Sequence, residues 1–464
     1  MNHLKTKLIN NLPNVLFVLF LIVCGLIKYF YDFEKKALFE ADQVYLIEQA
    51  QKILNGNLTL IGAPTSAGNM FIGPFYNYFT AIFLKMLKFS PYTIEAISSF
   101  WGILTPIVIY LVVQKIFDKK TAVFASIFSL FSFKFLARED IPPLLFPLPT
   151  LSILIFYLLT RLNKNPKYLI ITSILIGASL HLHFSGLFFL IFLIFYFIFK
   201  KPRVSKTAIF TSIIIFFIFL LPLFLFDLRH NFLISRNFLT FFVSQRAPST
   251  LSFFQRINKP FLIDYEYLRN IFISLPIFLV NLFFLFLAVF FLELLSNKKL
   301  NFQLFIWILM PPTLFIFYEG LIIQYYFIIQ LPIVFILFGF AIKKIIFHKN
   351  NPHQMILKTI AIFILTMFIC GNIKYWQSYY SRKSLYYKIK ALRFIIKESR
   401  GVPIYLSHTI YYPFNFGYFY LEDYLKINKK DDKNLPIYTI IQPYNWNGIN
   451  SQYIFGDIGV NLPE

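Results

Sequence analysis

Charge is what this sequence has least of. Only 14% of its 464 residues are Asp, Glu, Lys or Arg, against 58% hydrophobic, and the acidic share is the smaller, 21 residues against 44 basic. A soluble chain would carry about a quarter charged residues, so a soluble globular protein is excluded. Cysteine is nearly missing. Cys24 and Cys370 both fall inside apolar runs, which excludes a disulfide framework or a cysteine metal cluster. No internal repeat is evident, which argues against an inverted-repeat transporter. The first apolar run has no small-residue cleavage site after it, so it is expected to stay as a span rather than leave as a signal peptide.

What is present is apolar sequence in long pieces. Runs of the ~20 residues needed to cross a bilayer recur along most of the chain, and the expected fold is an all-α polytopic membrane protein. The 62 Phe residues accompany many Ile, Lys and Asn and read as compositional bias rather than an aromatic binding surface. The net charge of +23 is better explained by the positive-inside rule than by nucleic-acid binding. Lys/Arg clusters at 3–7, 115–120, 160–167, 200–206, 297–299 and 343–353 mark cytoplasmic loops. Eleven spans thread between them, near 13–31, 93–116, 120–137, 142–160, 168–182, 184–199, 207–226, 270–295, 303–318, 321–343 and 355–373.

One apolar segment, 71–87, breaks this parity if it crosses. It carries "GPFYNYF" (Gly73 to Phe79), whose tyrosines suit an interface, and it reads as a helix on or in the outer leaflet; a twelfth span is the alternative. The threading places the N-terminus in the cytoplasm of a cell-membrane protein. It places two outer loops at 32–92, with amphipathic helices, and 227–268, and an outer C-terminal segment at 374–464 beyond a 1–373 core. That segment reads as a basic helix, "SLYYKIKALRFIIKES", followed by the strand-like "PIYLS" and "PIYTII". It suits a small α/β cap with too little apolar surface for a large domain.

The polar groups without a cytoplasmic role gather on the outer side. They include Glu40 and Asp42 just after the first span, "RED" at 138–140, "HLH" at 181–183, "DLRH" at 227–230 and Glu319. Ionisable groups at a membrane edge are costly, so such a set suggests a functional site. A carboxylate there can take a proton from an acceptor hydroxyl as it attacks a sugar anomeric carbon. If the leaving group is a lipid-linked phosphate, a cation must hold it: an Arg, a Lys or a divalent metal such as Mg or Mn.

The runs "FEADQVYLIEQAQKILNGN", "GAPTS" and "GPFYNYF" resemble the first outer loop of C-type membrane glycosyltransferases. The nearest branch is the bacterial one related to protein O-mannosyltransferases and aminoarabinose lipid A transferases. "RED" before a span, "GASLHLHFSG", "LPLFLFDLRHNF" and "YYFIIQLP" follow in the family's order, so the likeness covers about residues 10–340. Each motif alone is weak, and order and spacing carry the match. The resemblance implies a polyprenyl-phosphate monosaccharide donor, a lipid, glycan or protein acceptor, and inversion at the anomeric carbon. Asp42 matches the family's first acidic position and is the expected general base. Glu40 is a second candidate, for orienting the acceptor or sharing a metal, and Asp140 a third, with Arg138 beside it. Arg229 resembles an arginine that meets the donor phosphate, a task suited to a guanidinium, and Lys85 could approach the same phosphate. His181, His183, Tyr325 and Tyr326 are further candidates for lining the cavity. Two departures stand out: Gln43 replaces the usual second acid, and "NMFIGP" lacks the family's His.

Simpler roles compete at each position. Asp42 could complement the dipole of a helix N-terminus, Glu40 could cap that helix, and Asp140 could pair with Arg138. Arg229 could anchor at the interface, Lys85 could snorkel, the tyrosines could belong to an aromatic belt, and one histidine could be a plain interfacial residue. A lipid or solute transporter would place charges deep in several helices. A polysaccharide polymerase or ligase would carry its main outer loop late in the chain, and a non-catalytic scaffold would have no need of Asp42.

Overall fold

Six helical segments among the described residues are long and apolar enough to cross a bilayer: Asn11–Phe30, Thr93–Ile116, Pro143–Arg161, Lys206–Arg229, Gln324–Ile346 and Met355–Ser378. Three shorter apolar ones, Lys167–Leu180, Phe184–Lys200 and Gln303–Phe315, accompany them. The chain is therefore an integral membrane protein. The computed structural model describes residues 2–65, 70–137, 140–244, 252–272, 275–281, 284, 301–318, 320–347, 352–411 and 415–463. It divides into two compact units, one of Met1–Tyr29, Thr59–Tyr76 and Phe100–Gln377, the other of Phe30–Leu58, Asn77–Ser99 and Ser378–Glu464. Glu319 and most of the expected span at 270–295 lie outside the described residues.

The helices in chain order are α1 (Asn2–Phe30), α2 (Phe33–Lys36), α3 (Ala41–Leu54), α4 (Phe75–Met86), α5 (Thr93–Ile116), α6 (Lys119–Phe131), α7 (Leu148–Arg161), α8 (Lys167–Leu180), α9 (Leu187–Lys200), α10 (Lys206–Arg229), α11 (Leu233–Ser244), α12 (Phe253–Ile271), α13 (Asn301–Phe315), α14 (Leu331–Ile346), α15 (Pro352–Ser378), α16 (Leu385–Ser399) and α17 (Tyr418–Tyr424).

The first unit is the membrane bundle. Its centre is the span containing α14, 89% of which is buried, whereas α10 is 6% buried and turns its apolar side chains outward to lipid. α6 packs on α14, and α8 on α10. Trp307 of α13 stacks on Phe192 at 4.0 Å between ring centres, and its indole N–H donates to Ser152 Oγ at 3.0 Å. A buried indole needs such a partner. α6 has 13 residues, and its open C-terminal carbonyls are met by a cation. Lys28 Nζ donates to the carbonyls of Leu130 and Ser132 at 2.9 and 2.8 Å. The next backbone N–H, of Phe133, donates to Asn372 Oδ1 of α15 at 2.7 Å. With no water in the hydrocarbon region, helix ends close to it require such closures.

The second unit joins α2, α3, most of α4 and the start of α5 to the C-terminal segment. The sheet has order β1-β2-β4-β3, with β1 (Tyr405–Ile410), β2 (Ile437–Gln442), β3 (Tyr453–Phe455) and β4 (Ile458–Asn461). β1 and β2 pair in parallel, and the other two pairings are antiparallel. α17 lies in the crossover from β1 to β2, as a parallel pair requires. α16 buries Leu385, Ile389, Leu392 and Ile395 on one stripe and packs against α2, β3 and β4. In α17 the buried Glu422 accepts from His408 and Lys429, both at 2.7 Å. Burial alone would raise that carboxyl, but its two partners hold it below the usual range.

Candidate active site

The two helices of the first loop are built differently. α3 spaces Val44, Ile47 and Ala50 to bury one side, and it begins at Glu40, the N-cap residue. The Glu40 backbone N–H donates to Gln43 Oε1 at 3.1 Å. Gln43, which stands where an acid was expected, therefore serves the start of the helix. Asp42 lies in the first turn of α3, the position that a dipole-complementing carboxylate would take. Such a carboxylate would normally ionise more readily. Asp42 instead has its pKa raised, first by the protein around it and second by the Glu40 charge. Its surface nevertheless stays open to solvent. Asp42 is thus an accessible carboxylate that holds its proton more tightly than usual.

α4 has 12 residues and rises about 18 Å at 1.5 Å per residue, short of the ~30 Å hydrocarbon thickness. In the second unit the Tyr45 hydroxyl of α3 bonds to Asn77 of α4, and Lys85 is exposed in the last turn of α4.

The strap Ala37–Glu40, which leads into α3, is held by groups that the sequence did not single out. The Leu38 N–H donates to Glu95 Oε1 at 3.2 Å, and Leu385 N–H donates to the Ala37 carbonyl at 2.9 Å. The Lys388 ammonium, fully buried, donates to the carbonyls of Phe39 and Phe416, both at 2.9 Å. Burial brings its pKa down to about 8. Gly417 has φ +86°, and a Cβ there would stand 2.5 Å from the Phe39 ring. Glycine is required at this crossing on both counts.

Within the first unit the other candidates divide sharply. His181 and His183 do not share a helix: α8 ends at Leu180 with His181 as its C-cap, and His183 starts a short 3-10 turn, Phe184–Gly186. Their two-residue spacing is therefore not a spacing along one helix. Both nitrogens of His181 are taken, Nε2 donating to the Phe219 carbonyl at 2.7 Å and Nδ1 accepting from the Phe75 N–H at 3.3 Å. It is a structural staple between α4 and α10. His183 accepts at Nδ1 from the Ser185 N–H at 3.1 Å, which leaves Nε2–H as its donor. Its ring lies against Tyr326 at 5.1 Å and Tyr325 at 6.3 Å. These three candidates do come together.

Asp140 pairs with Lys134 at 2.6 Å; Arg138, the partner suggested by the sequence, lies outside the described residues. Arg229 ends α10 and is exposed, where a cation also suits the helix dipole. Its neighbour Asp227 is buried and accepts from Ile234 N–H at 2.6 Å and Ser235 Oγ at 2.5 Å, so this acid ties α10 to α11. An unanticipated acid is Asp264 of α12. It is buried, accepts from the Gln330 side chain, and is pushed up to about 8 by burial, against the opposing effect of that bond. Its one sequence signal is position: it shares a buried stripe with Pro260, Tyr267 and Ile271. Among the described residues no three His, Cys, Asp or Glu side chains gather to hold a metal.

The backbone arrangement matches solved membrane enzymes along nearly its whole length. ArnT from Cupriavidus metallidurans bound to undecaprenyl phosphate aligns at TM-score 0.58 and 11% identity, over 97% of this chain and 98% of that one. The apo state of the same protein aligns at 0.59, with the same identity and coverage. The chain has the fold of the C-type membrane glycosyltransferases. The archaeal oligosaccharyltransferase AglB from Archaeoglobus fulgidus, in complex with an inhibitory peptide and a dolichol-phosphate, shares this C-type fold at TM-score 0.52 and 13% identity, over 93% of this chain and 69% of that one. Residues 72–226 match the family model for dolichyl-phosphate-mannose-protein mannosyltransferase. That stretch of the C-type fold runs from the approach to α4 through most of α10. No curated protein matches the sequence.

Proposed function

We propose that the chain is an integral-membrane glycosyltransferase. It moves one monosaccharide, a hexose or a pentose, from a polyprenyl-phosphate donor to an acceptor hydroxyl at the extracytoplasmic face, with inversion. Asp42 takes the acceptor proton. The freed oxygen bonds to the anomeric carbon as the bond from that carbon to the phosphate oxygen breaks, and the electron pair leaves with the polyprenyl phosphate. Arg229 holds the departing phosphate by paired N–H donors. His183 and the tyrosines beside it supply donors to the sugar or phosphate oxygens. Lys85 is a second cation for the same phosphate, and Glu40 acts on Asp42 through its charge.

The observation that carries this reading is Asp42: an accessible carboxylate with a raised pKa in the first turn of α3, on a chain whose fold is that of ArnT. The test is transfer from labelled polyprenyl-phosphate monosaccharides to membrane acceptors, wild type against Asp42→Asn at equal folded amounts. Loss of a positioned base should lower kcat by roughly 10²–10⁴-fold. Undiminished transfer by the variant would remove Asp42 from the chemistry. A wild type that transfers from no donor would remove the glycosyltransferase reading.

A further inference from the structure

Lysine is an unexpected choice for the buried stripe of α16, where Lys388 stands among Leu385, Ile389, Leu392 and Ile395. A buried ammonium is costly unless its N–H groups are matched. Lys388 has two matches, and they lie on different pieces of chain. One is the Phe39 carbonyl, one residue before the N-cap of α3; the other is the Phe416 carbonyl, just before Gly417 and α17. The Tyr418 ring lies 5.0 Å from Nζ, and the Glu40 carboxylate attracts the charge. The same strap is held on its other side by Leu385 N–H and, through Leu38, by Glu95. An apolar residue of equal length would fill the space and remove both of these hydrogen bonds.

We propose that Lys388 is a positioning residue for Asp42: its ammonium clamps Phe39 to Phe416 and so sets where α3 begins and where its first turn presents the carboxylate. The C-terminal segment thereby takes part in the reaction without touching substrate. This inference rests on the reading of Asp42 as the base. The charge-facing groups are Glu40 from α3 and Tyr418 from α17. Burial brings its pKa down to about 8, and the neutral amine still has two N–H groups for the two carbonyls, so loss of the proton alone does not open the clamp. Arginine also keeps N–H donors at this place.

The test uses the purified full-length chain as wild type, Lys388→Met, Lys388→Arg and Asp42→Asn. Amide hydrogen exchange is read over residues 37–50 and over the strands. Transfer is read from labelled undecaprenyl-phosphate mannose between pH 6 and 10. Lys388→Met should speed exchange at the start of α3 while β2 and β4 keep wild-type rates. It should lower kcat on the order of 10–100-fold, as misplacement of a catalytic group does, with donor KM unchanged. Lys388→Arg, which keeps N–H donors at this place, should restore both. Exchange that is unchanged at α3, or faster in the strands to the same degree, overturns the proposal and leaves Lys388 a packing residue. If Lys388→Met does not fold, Lys388→Leu, which also lacks a donor, decides: wild-type exchange at the start of α3 overturns the clamp. Exchange needs no donor, so it tests the clamp even where the probe sugar is not accepted. Full activity in Asp42→Asn would instead overturn the reading on which the clamp rests.

Discussion

A carboxylate acts as a base only while ionised, so the surroundings of Asp42 set the pH range in which it can work. Its pKa is raised by surrounding protein first and by Glu40 second. Transfer should therefore fall, as pH drops, through a value above the usual aspartate range. Glu40→Gln removes one of the two causes, and the acid limb of kcat/KM should move to lower pH. A pH profile of the two proteins checks this; a limb that does not move belongs to another group. Asp42 was singled out in the sequence because a carboxylate soon after an apolar run has few ordinary reasons to be there. Lys388 was not. Lys388, Lys390 and Lys397 all punctuate the helix, and only the packing of α16 against the rest of its unit separates the buried lysine from the others. The signal that existed was the phase of Lys388 with Leu385, Leu392 and Ile395. Asp264 was hidden in the same way, within the buried stripe of α12.

At the scale of elements, hydropathy located helices well and their ends poorly. The apolar run at 71–87 condensed into the 12 residues of α4, and the expected span at 120–137 into the 13 residues of α6. Side chains far away in sequence close both ends: His181 at the start of α4 and Lys28 at the end of α6. A single-sequence pattern carries no information about such partners. The C-terminal helix and its two strand-like segments were readable because their periods are local, whereas the short β3–β4 hairpin was not anticipated. The start of α4 also makes a glycine indispensable. A Cβ on Gly73 would stand 2.1 Å from His181 Nδ1, the atom that receives the Phe75 N–H. Gly73→Ala should push the ring off that bond and destabilise the protein by about 1–3 kcal/mol, the usual cost of overpacking. A lower thermal midpoint in detergent would show it. An unchanged midpoint would mean that His181 can step aside without loss, and that it does not staple α4.

For the molecule as a whole, contacts constrain the topology independently of charge. Phe30–Leu58, Asn77–Ser99 and Ser378–Glu464 belong to one compact unit. Segments packed together are expected on the same side of a membrane, so this grouping predicts an even number of crossings between the start of α5 and the end of α15. The threading from Lys/Arg clusters places ten spans in that interval, an even number, and it requires that 71–87 not cross. The grouping into one unit leaves open which side is which, and that is where the Lys/Arg clusters commit through the positive-inside rule. In a background without Cys24 and Cys370, Asn57→Cys and Asn434→Cys should both react with a membrane-impermeant maleimide on intact cells. Lys164→Cys should react only after the membrane is opened. All three positions are exposed, so a failure to react reports on sidedness rather than burial. If Asn57→Cys and Asn434→Cys react on opposite sides, the two segments cannot share a unit, and the clamp made by Lys388 cannot form. If both react only from the cytoplasm, the basic clusters lie outside, and the reaction face proposed for Asp42 moves with them to the inner surface.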